Sequence, residues 1–393
     1  MVKSCLMATA IGSVRSATLL SSLSFAVFGA CLTLPGALLP LLVDAFGIRL
    51  IEAGSMLALQ PAAYLVAVLT AGPLLERYSA RAVLTGGLAA ISAGFGGFGV
   101  ASAWVSGGCM LFISGIGLGL IEVAVNVLLI RVGGERRSNL LNFTHLFFGV
   151  GSFAAPVLST HAVALGFSWR TAFFSTAVLA AIVGFAWTAI PSVATKLPPE
   201  VGSGDRTTHT RLVALLAATL GVYVGLEMGV GAWLTKYLVS TRQLALADAG
   251  NVLSLYWLGL AGARLLLGFS AHRVREEHLV PVLSAMSVVA LVLALSLPTP
   301  AAYTTAFALV GVGLSGIFPA VLALAGRYHP HGTARVTSLL VAGAGLGGIV
   351  IPWLMSLIAD RVGLVSGMGF YVAIAAVLFL LALAIGRALP ARA

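Results

Sequence analysis

The chain has 393 residues, 60% of them hydrophobic and 9% charged, with a mean hydropathy of +1.06. A water-soluble domain carries about 25% charged residues, so this chain has too little polar material to coat one. The formal charge of +10 comes from basic residues spread singly between apolar runs, which excludes a nucleic-acid-binding patch. Its three cysteines, Cys5, Cys31 and Cys109, have neither metal-ligand nor disulfide-framework spacing. The composition leaves an all-α polytopic membrane protein, with no metal and no cofactor implied.

A helix needs about 20 mostly apolar residues to cross a hydrocarbon core ~30 Å thick. Twelve runs meet that length, at about 17–43, 51–75, 81–103, 107–131, 139–164, 168–190, 211–238, 247–270, 278–297, 302–327, 334–358 and 364–387. They are continuously apolar, unlike the alternating strands of a membrane β-barrel, about ten residues each. The segment 1–16 is polar, with no small-residue cleavage site after it, and is not read as a removable signal. Placing both termini on the cytoplasmic side leaves only Arg49, Arg170, Lys236, Arg242 and Arg361 outside. Arg264 then falls within span 8, and every other Lys and Arg lies inside. The expected location is a bacterial inner (plasma) membrane, with lipid headgroups as the only anionic partner.

The hydrophilic stretch 191–210 separates an N-terminal six-span half (1–190) from a C-terminal one (211–393) and reads as a cytoplasmic linker. Sliding one half over the other by 196 residues aligns Gly72 with Gly268, Arg77 with Arg273 and Arg131 with Arg327. It also aligns Gly115 and Gly117 with Gly311 and Gly313, and Gly149, Gly151 and Pro156 with Gly345, Gly347 and Pro352. The 46 glycines make some glycine matches inevitable, but not two arginine pairs and a proline pair at the same offset. Parallel six-helix repeats joined by a cytoplasmic loop resemble the major facilitator superfamily, two pseudo-symmetric six-helix bundles with the substrate site between them. Between spans 2 and 3, Gly72-Pro-Leu-Leu-Glu76-Arg77-Tyr-Ser-Ala-Arg81 resembles that superfamily's loop motif, with Glu for the usual Asp and Ala80 for a usual Gly. Gly72 is expected to let two helices approach closely, and Glu76 with Arg77 and Arg81 to latch the cytoplasmic side. Arg264, Gly268 and Arg273 at the matching end of span 8 are placed in the same gate, although Arg264 also has the option of snorkelling.

Positions polar in one half and apolar in its mate are not needed for the shared packing. Glu122 pairs with Phe318, Asn126 with Leu322, Asn142 with Ser338 and His145 with Val341; conversely, Glu227 pairs with Cys31 and Arg264 with Val68. Ionisable groups within spans are functional-site candidates. Glu122 and Asn126 share a face of span 4, Asn142 and His145 a face of span 5. Glu122 and His145 both lie roughly 12–14 Å from the 131–138 loop at ~1.5 Å per residue. The four side chains are therefore expected to converge on one polar pocket, with Glu122 as proton carrier and His145 tuning it or binding solute. Amides and rings suit a neutral polyhydroxylated ligand, for which Asn126, Asn142, Glu227, Tyr223, Tyr256 and Trp257 are the candidate contacts; Trp233 reads equally well as a membrane-interface residue.

A narrower resemblance rests on about 40 residues. Gly117-Leu-Gly119-Leu-Ile-Glu122-Val-Ala-Val-Asn126 resembles helix 4 of the fucose–proton symporter family, which includes glucose and galactose carriers. Leu141-Asn142-Phe-Thr-His145-Leu-Phe-Phe-Gly149-Val-Gly151 is similar to helix 5 of its glucose branch, and Tyr223-Val-Gly-Leu-Glu227-Met-Gly-Val-Gly-Ala-Trp233-Leu-Thr-Lys-Tyr237 to its helix 7. The resemblance implies a proton-coupled sugar symporter working by alternating access, with the helix 4 Glu in proton coupling. The fucose carriers' second acid, in helix 1, is absent; Gly36 stands nearest its place, and Phe148 replaces a polar residue. A single-acid proton route, sodium coupling and facilitated diffusion stay open. The rival on the same fold is a proton-driven exporter of amphipathic compounds. No His-Glu-x-x-His, Gly-x-Ser-x-Gly or P-loop sequence points to an enzyme, and the chain is expected to act as a monomer.

Overall fold

The computed structural model describes residues 2–134, 137–190, 210–270, 275–328 and 333–388. Arg273 and the linker stretch 191–209 lie outside the described residues. Twelve helical stretches among those described are long and apolar enough to cross a membrane. Span 1 consists of α1 (Val2–Ala37) and α2 (Leu39–Phe46). Spans 2 to 6 are α3 (Leu50–Arg77), α4 (Ala80–Val100), α5 (Trp104–Gly133), α6 (Arg137–Ala164) and α7 (Trp169–Thr188). Spans 7 to 9 are α8 (Thr210–Arg242), α9 (Leu246–Ser270) and α10 (Glu276–Ser296). Span 10 is split into α11 (Pro300–Leu314) and α12 (Ile317–Tyr328), and spans 11 and 12 are α13 (Thr333–Val362) and α14 (Leu364–Ala388).

The two divided spans are where apolar-run length alone misreads the backbone. Span 10 is continuous in hydropathy, yet its helix stops between Leu314 and Ile317. Pro319 has no N–H to return to the carbonyl four residues earlier, that of Ser315. The Arg264 Nε donates to that oxygen instead, at 2.9 Å. In span 1, Pro40 cannot donate to the Gly36 carbonyl, and a new helix starts after Leu38. The short α2 ends on Gly47, whose φ of 60° completes a left-handed cap.

Contacts divide the chain into two compact units: Met1–Leu34 with Leu59–Glu200, and Pro35–Ala58 with Val201–Ala393. Within the first, α4 packs on α5 and α7; within the second, α10 packs on α11 and α14, the same pairing one repeat later. The correspondence extends to single backbone atoms. A Cβ added to Gly115 would meet the Gln60 carbonyl, and one added to Gly311 would meet that of Tyr256, 196 residues on. Gly117 faces Gly87 and Ile91, and Gly313 faces their mates Leu283 and Ser287. Such small-residue crossings let backbones touch where apolar burial alone drives no association. Gly72 and Gly268 do not belong to this set: an added Cβ at either meets nothing within 4 Å. The close helix approach expected at Gly72 is therefore not made.

Candidate functional site

In the first unit, α5 carries Glu122 and Asn126 one turn apart, and α6 carries His145. The Tyr64 hydroxyl, from α3, hydrogen-bonds the Glu122 carboxyl. The Asn126 amide oxygen accepts from His145 Nε2–H at 3.1 Å. The imidazole stands edge-on to Phe25 of α1, with centroids 4.7 Å apart. Phe28, one turn further along α1, packs against Tyr64 at 6.2 Å and Phe148 at 5.7 Å. Ser22 and Thr144 lie 3.4 Å apart in the buried seam between α1 and α6. Glu122, Asn126 and Tyr64 are half-buried and His145 is exposed. Depth counting thus brings Glu122, Asn126 and His145 into one region. Asn142 is exposed, one turn before His145, and lies outside this set of hydrogen bonds.

Tyr64 is missing from the sequence candidates, and so are Phe25 and Phe28. The signal for Tyr64 was present, because its mate at offset 196 is Leu260. The aromatic candidates were drawn from spans 7 and 8 alone, which passes over a tyrosine of span 2.

In the second unit, Glu227 of α8 is 7% exposed and faces Arg264 of α9, 36% exposed, at 3.5 Å. Arg264 Nη2 also donates to the Tyr223 hydroxyl at 3.0 Å, and its Nε holds the Ser315 carbonyl at the break in span 10. Arg264 is thus a partner of Glu227 and Tyr223, not a snorkelling residue. Tyr256 donates its hydroxyl to the Glu227 backbone oxygen at 2.9 Å. Tyr223 and Tyr256 are fully buried, and Trp257, 2% exposed, lies against Gly231. The faces expected to stack on a ligand are covered by protein in this state. Trp233, also fully buried, presents no face to lipid or solvent.

The loop motif is more open. Glu76 and Arg77 are exposed, with Arg77 over the Tyr78 ring, while Arg81 donates to the Ile190 carbonyl at 2.8 Å. On the C-terminal side, Arg327 pairs with Glu276 and Glu277.

A third set of contacts, unforeseen in the sequence, ties the segment 35–58 to α8 and α13 inside the second unit. Asp44 faces Lys236 at 4.0 Å and Arg49 faces Asp360 at 3.8 Å. Asp360 also accepts from the Ile51 N–H at 3.5 Å, and the Trp353 indole donates to Ser55 at 3.1 Å. Gly54 abuts Ser356, and Gly36 crosses α8 at Gly231 and Ala232. The place nearest the fucose carriers' helix 1 acid is therefore taken up by a backbone crossing.

Comparison with known proteins agrees with this architecture. The chain is 23% identical over 360 residues to the glucose/mannose transporter GlcP of Bacillus subtilis (strain 168), covering 87% of this chain and 88% of that one. It is 26% identical over 275 residues to a glucose/galactose transporter of Brucella abortus biovar 1 (strain 9-941), 65% of each. Its fold matches the crystal structure of the nucleoside transporter NupG with a TM-score of 0.80 over 95% of this chain and 99% of that one. At 12% identity, that match speaks to fold alone. The family model of the Major Facilitator Superfamily matches residues 20–335. Twelve spans, backbone contacts repeated at offset 196 and this match over most of its length have one reading: the chain belongs to the Major Facilitator Superfamily.

Proposed function

We propose that the chain is a secondary active transporter that carries a sugar by alternating access, coupled to a proton at Glu122. The observation that carries the reading is the cluster on α1, α3, α5 and α6. It joins a carboxyl on a phenol, an amide on an imidazole, and a wall of aromatic rings. Amide and imidazole exchange hydrogen bonds with hydroxyls, and rings accept the apolar face of a pyranose. The glucose, mannose and galactose transporters among its relatives support that solute class. Protonation neutralises Glu122, and a neutral side chain escapes the cost of carrying charge through a water-excluded state. The contacts of the segment 35–58 with α8 and α13 join the two halves of the sequence, and an alternating carrier has to release them. With both termini cytoplasmic, as loop charge implies, they lie at the outer face of an inner-membrane protein.

The test is uptake of labelled hexoses into proteoliposomes, with and without an imposed proton gradient. At one proton per sugar, a gradient of two pH units supports up to about 100-fold accumulation, about 1.4 kcal/mol per unit. Glu122→Gln is expected to keep the Tyr64 hydrogen bond but only equilibrate sugar. Undiminished accumulation by that variant refutes the proton assignment. No hexose uptake by folded wild-type protein refutes the sugar reading and favours export of amphipathic compounds.

A further inference from the structure

We infer that the first half of the chain binds a phosphate group of net negative charge, from an anionic phospholipid or free phosphate, at Arg131 and Arg81. The site lies where α5 ends beside the start of α4, and it depends on neither the sugar nor the proton assignment. Arg131 Nη2 is buried and has no hydrogen-bond acceptor among the described residues. Buried polar atoms are nearly always satisfied, and a guanidinium nitrogen is satisfied best by an anionic oxygen.

The second half shows how the same arginine is satisfied when the chain supplies the anion. Arg327, the mate of Arg131, pairs with Glu276 and Glu277 in the first turn of α10. The mates of those two acids are Ala80 and Arg81, in the first turn of α4. The crossing that sets this register is built alike in both halves, Gly117 on Gly87 and Ile91, Gly313 on Leu283 and Ser287. Arg131 is therefore directed to the end of α4 where a methyl group and a second cation replace the two carboxylates. Arg81 donates to the Ile190 carbonyl, which orients its guanidinium without neutralising it. Glu76, the acid of the loop motif, is exposed and belongs to none of the ion pairs among the described residues. A phosphate matches the forked donors of arginine and supplies the charge that Glu276 and Glu277 give to Arg327. Loop charge sets this end of span 4 at the inner headgroups, within direct reach of an anionic lipid.

The test follows thermal unfolding of the delipidated full-length protein in an uncharged detergent at fixed ionic strength. It is titrated with monomeric dihexanoyl-phosphatidylglycerol, with dihexanoyl-phosphatidylcholine and with inorganic phosphate, since a ligand of the folded state raises the midpoint. Phosphatidylglycerol is expected to raise it saturably, and the zwitterionic phosphatidylcholine is not. Stabilisation by phosphatidylglycerol alone identifies a lipid headgroup as the source, and stabilisation by inorganic phosphate as well identifies a free anion. Arg131→Gln is expected to weaken the titration at least about tenfold, by loss of a charge-assisted bond. Ala80→Glu, which gives the first half the carboxylate of the second, is expected to abolish the response. A wild-type response in folded Arg131→Gln overturns the inference. So do equal effects of the two lipids, and so does the absence of any response to phosphatidylglycerol and phosphate. If Arg131→Gln does not fold, Ala80→Glu decides by the same criterion.

Discussion

Gly36 is a position at which the proposed exchange between states is sensitive to a single methyl group, because it meets backbone rather than side chain. A Cβ built there lies 2.8 Å from both the Ala232 Cα and the Gly231 carbonyl oxygen, and 3.0 Å from the Ala232 oxygen. Carbon atoms in comfortable contact stand about 3.5–4.0 Å apart, so Gly36→Ala demands that two helix backbones separate by on the order of 1 Å. No flexible side chain takes up the strain. Overpacking of this kind costs about 1–3 kcal/mol, and here it falls only on the state in which span 1 crosses α8. If that crossing opens during transport, the open population rises about 5- to 150-fold. The assay begins by replacing Cys5, Cys31 and Cys109 with alanine and introducing Ser356→Cys, a fully buried position against Gly54. A membrane-impermeant maleimide should then label Cys-bearing protein faster with Gly36→Ala by that factor. An unchanged labelling rate in folded protein refutes the idea that the 35–58 contacts open.

The ion pairs of the same region should matter far less. Asp44 and Arg49 are 76% and 70% exposed, so Asp44→Asn or Arg49→Gln should cost under about 1 kcal/mol and change labelling less than about fivefold. High salt should erase even that difference. For stability, Gly115→Ala should destabilise by about 1–3 kcal/mol because its Cβ meets the Gln60 backbone. Gly72→Ala, with open space around it, should stabilise by about 0.5–1 kcal/mol, and equal thermal unfolding of the two in detergent would contradict the crossing argument. Asn126→Ala removes a hydrogen-bond partner of His145 and should raise the KM for sugar about 2- to 10-fold with accumulation at saturation intact. Loss of accumulation would place Asn126 in the coupling step instead.

The spans and the repeat were legible because both depend on quantities that a linear sequence carries: apolar run length and the spacing of like residues. Gly115 and Gly311 read as mates and turned out to touch mated carbonyls. The breaks after Leu38 and Leu314 were not read, although Pro40 and Pro319 were in view, because hydropathy is blind to a missing N–H. The faces of α8 and α9 were misjudged for a related reason. A helix apolar all round gives no periodicity from which to tell an inward ring from a packed one, and Tyr223, Tyr256 and Trp257 were assigned to solute when they fill protein. The contacts of residues 35–58 with the C-terminal helices have no signature in composition, since chain order places that segment in the other half.

The two acids of the spans differ in what protonation does to their partners, and this argues for a division of labour between them. A phenol hydroxyl donates to a carboxylate and accepts from a carboxylic acid, so the Tyr64–Glu122 bond survives the arrival and the loss of a proton. A guanidinium has five donors and no acceptor. Protonating Glu227 would therefore end its ionic bond with Arg264 and leave a cation held only by the Ser315 carbonyl and the Tyr223 hydroxyl. Removing the counter-charge of a half-buried guanidinium in this way is unfavourable, and the penalty would be met on every cycle. Glu122 meets no such penalty from its phenol partner. The chemistry of its partners thus argues for keeping Glu227 ionised, as the counter-charge of Arg264, while the Tyr64 bond to Glu122 sets no bar to a proton there.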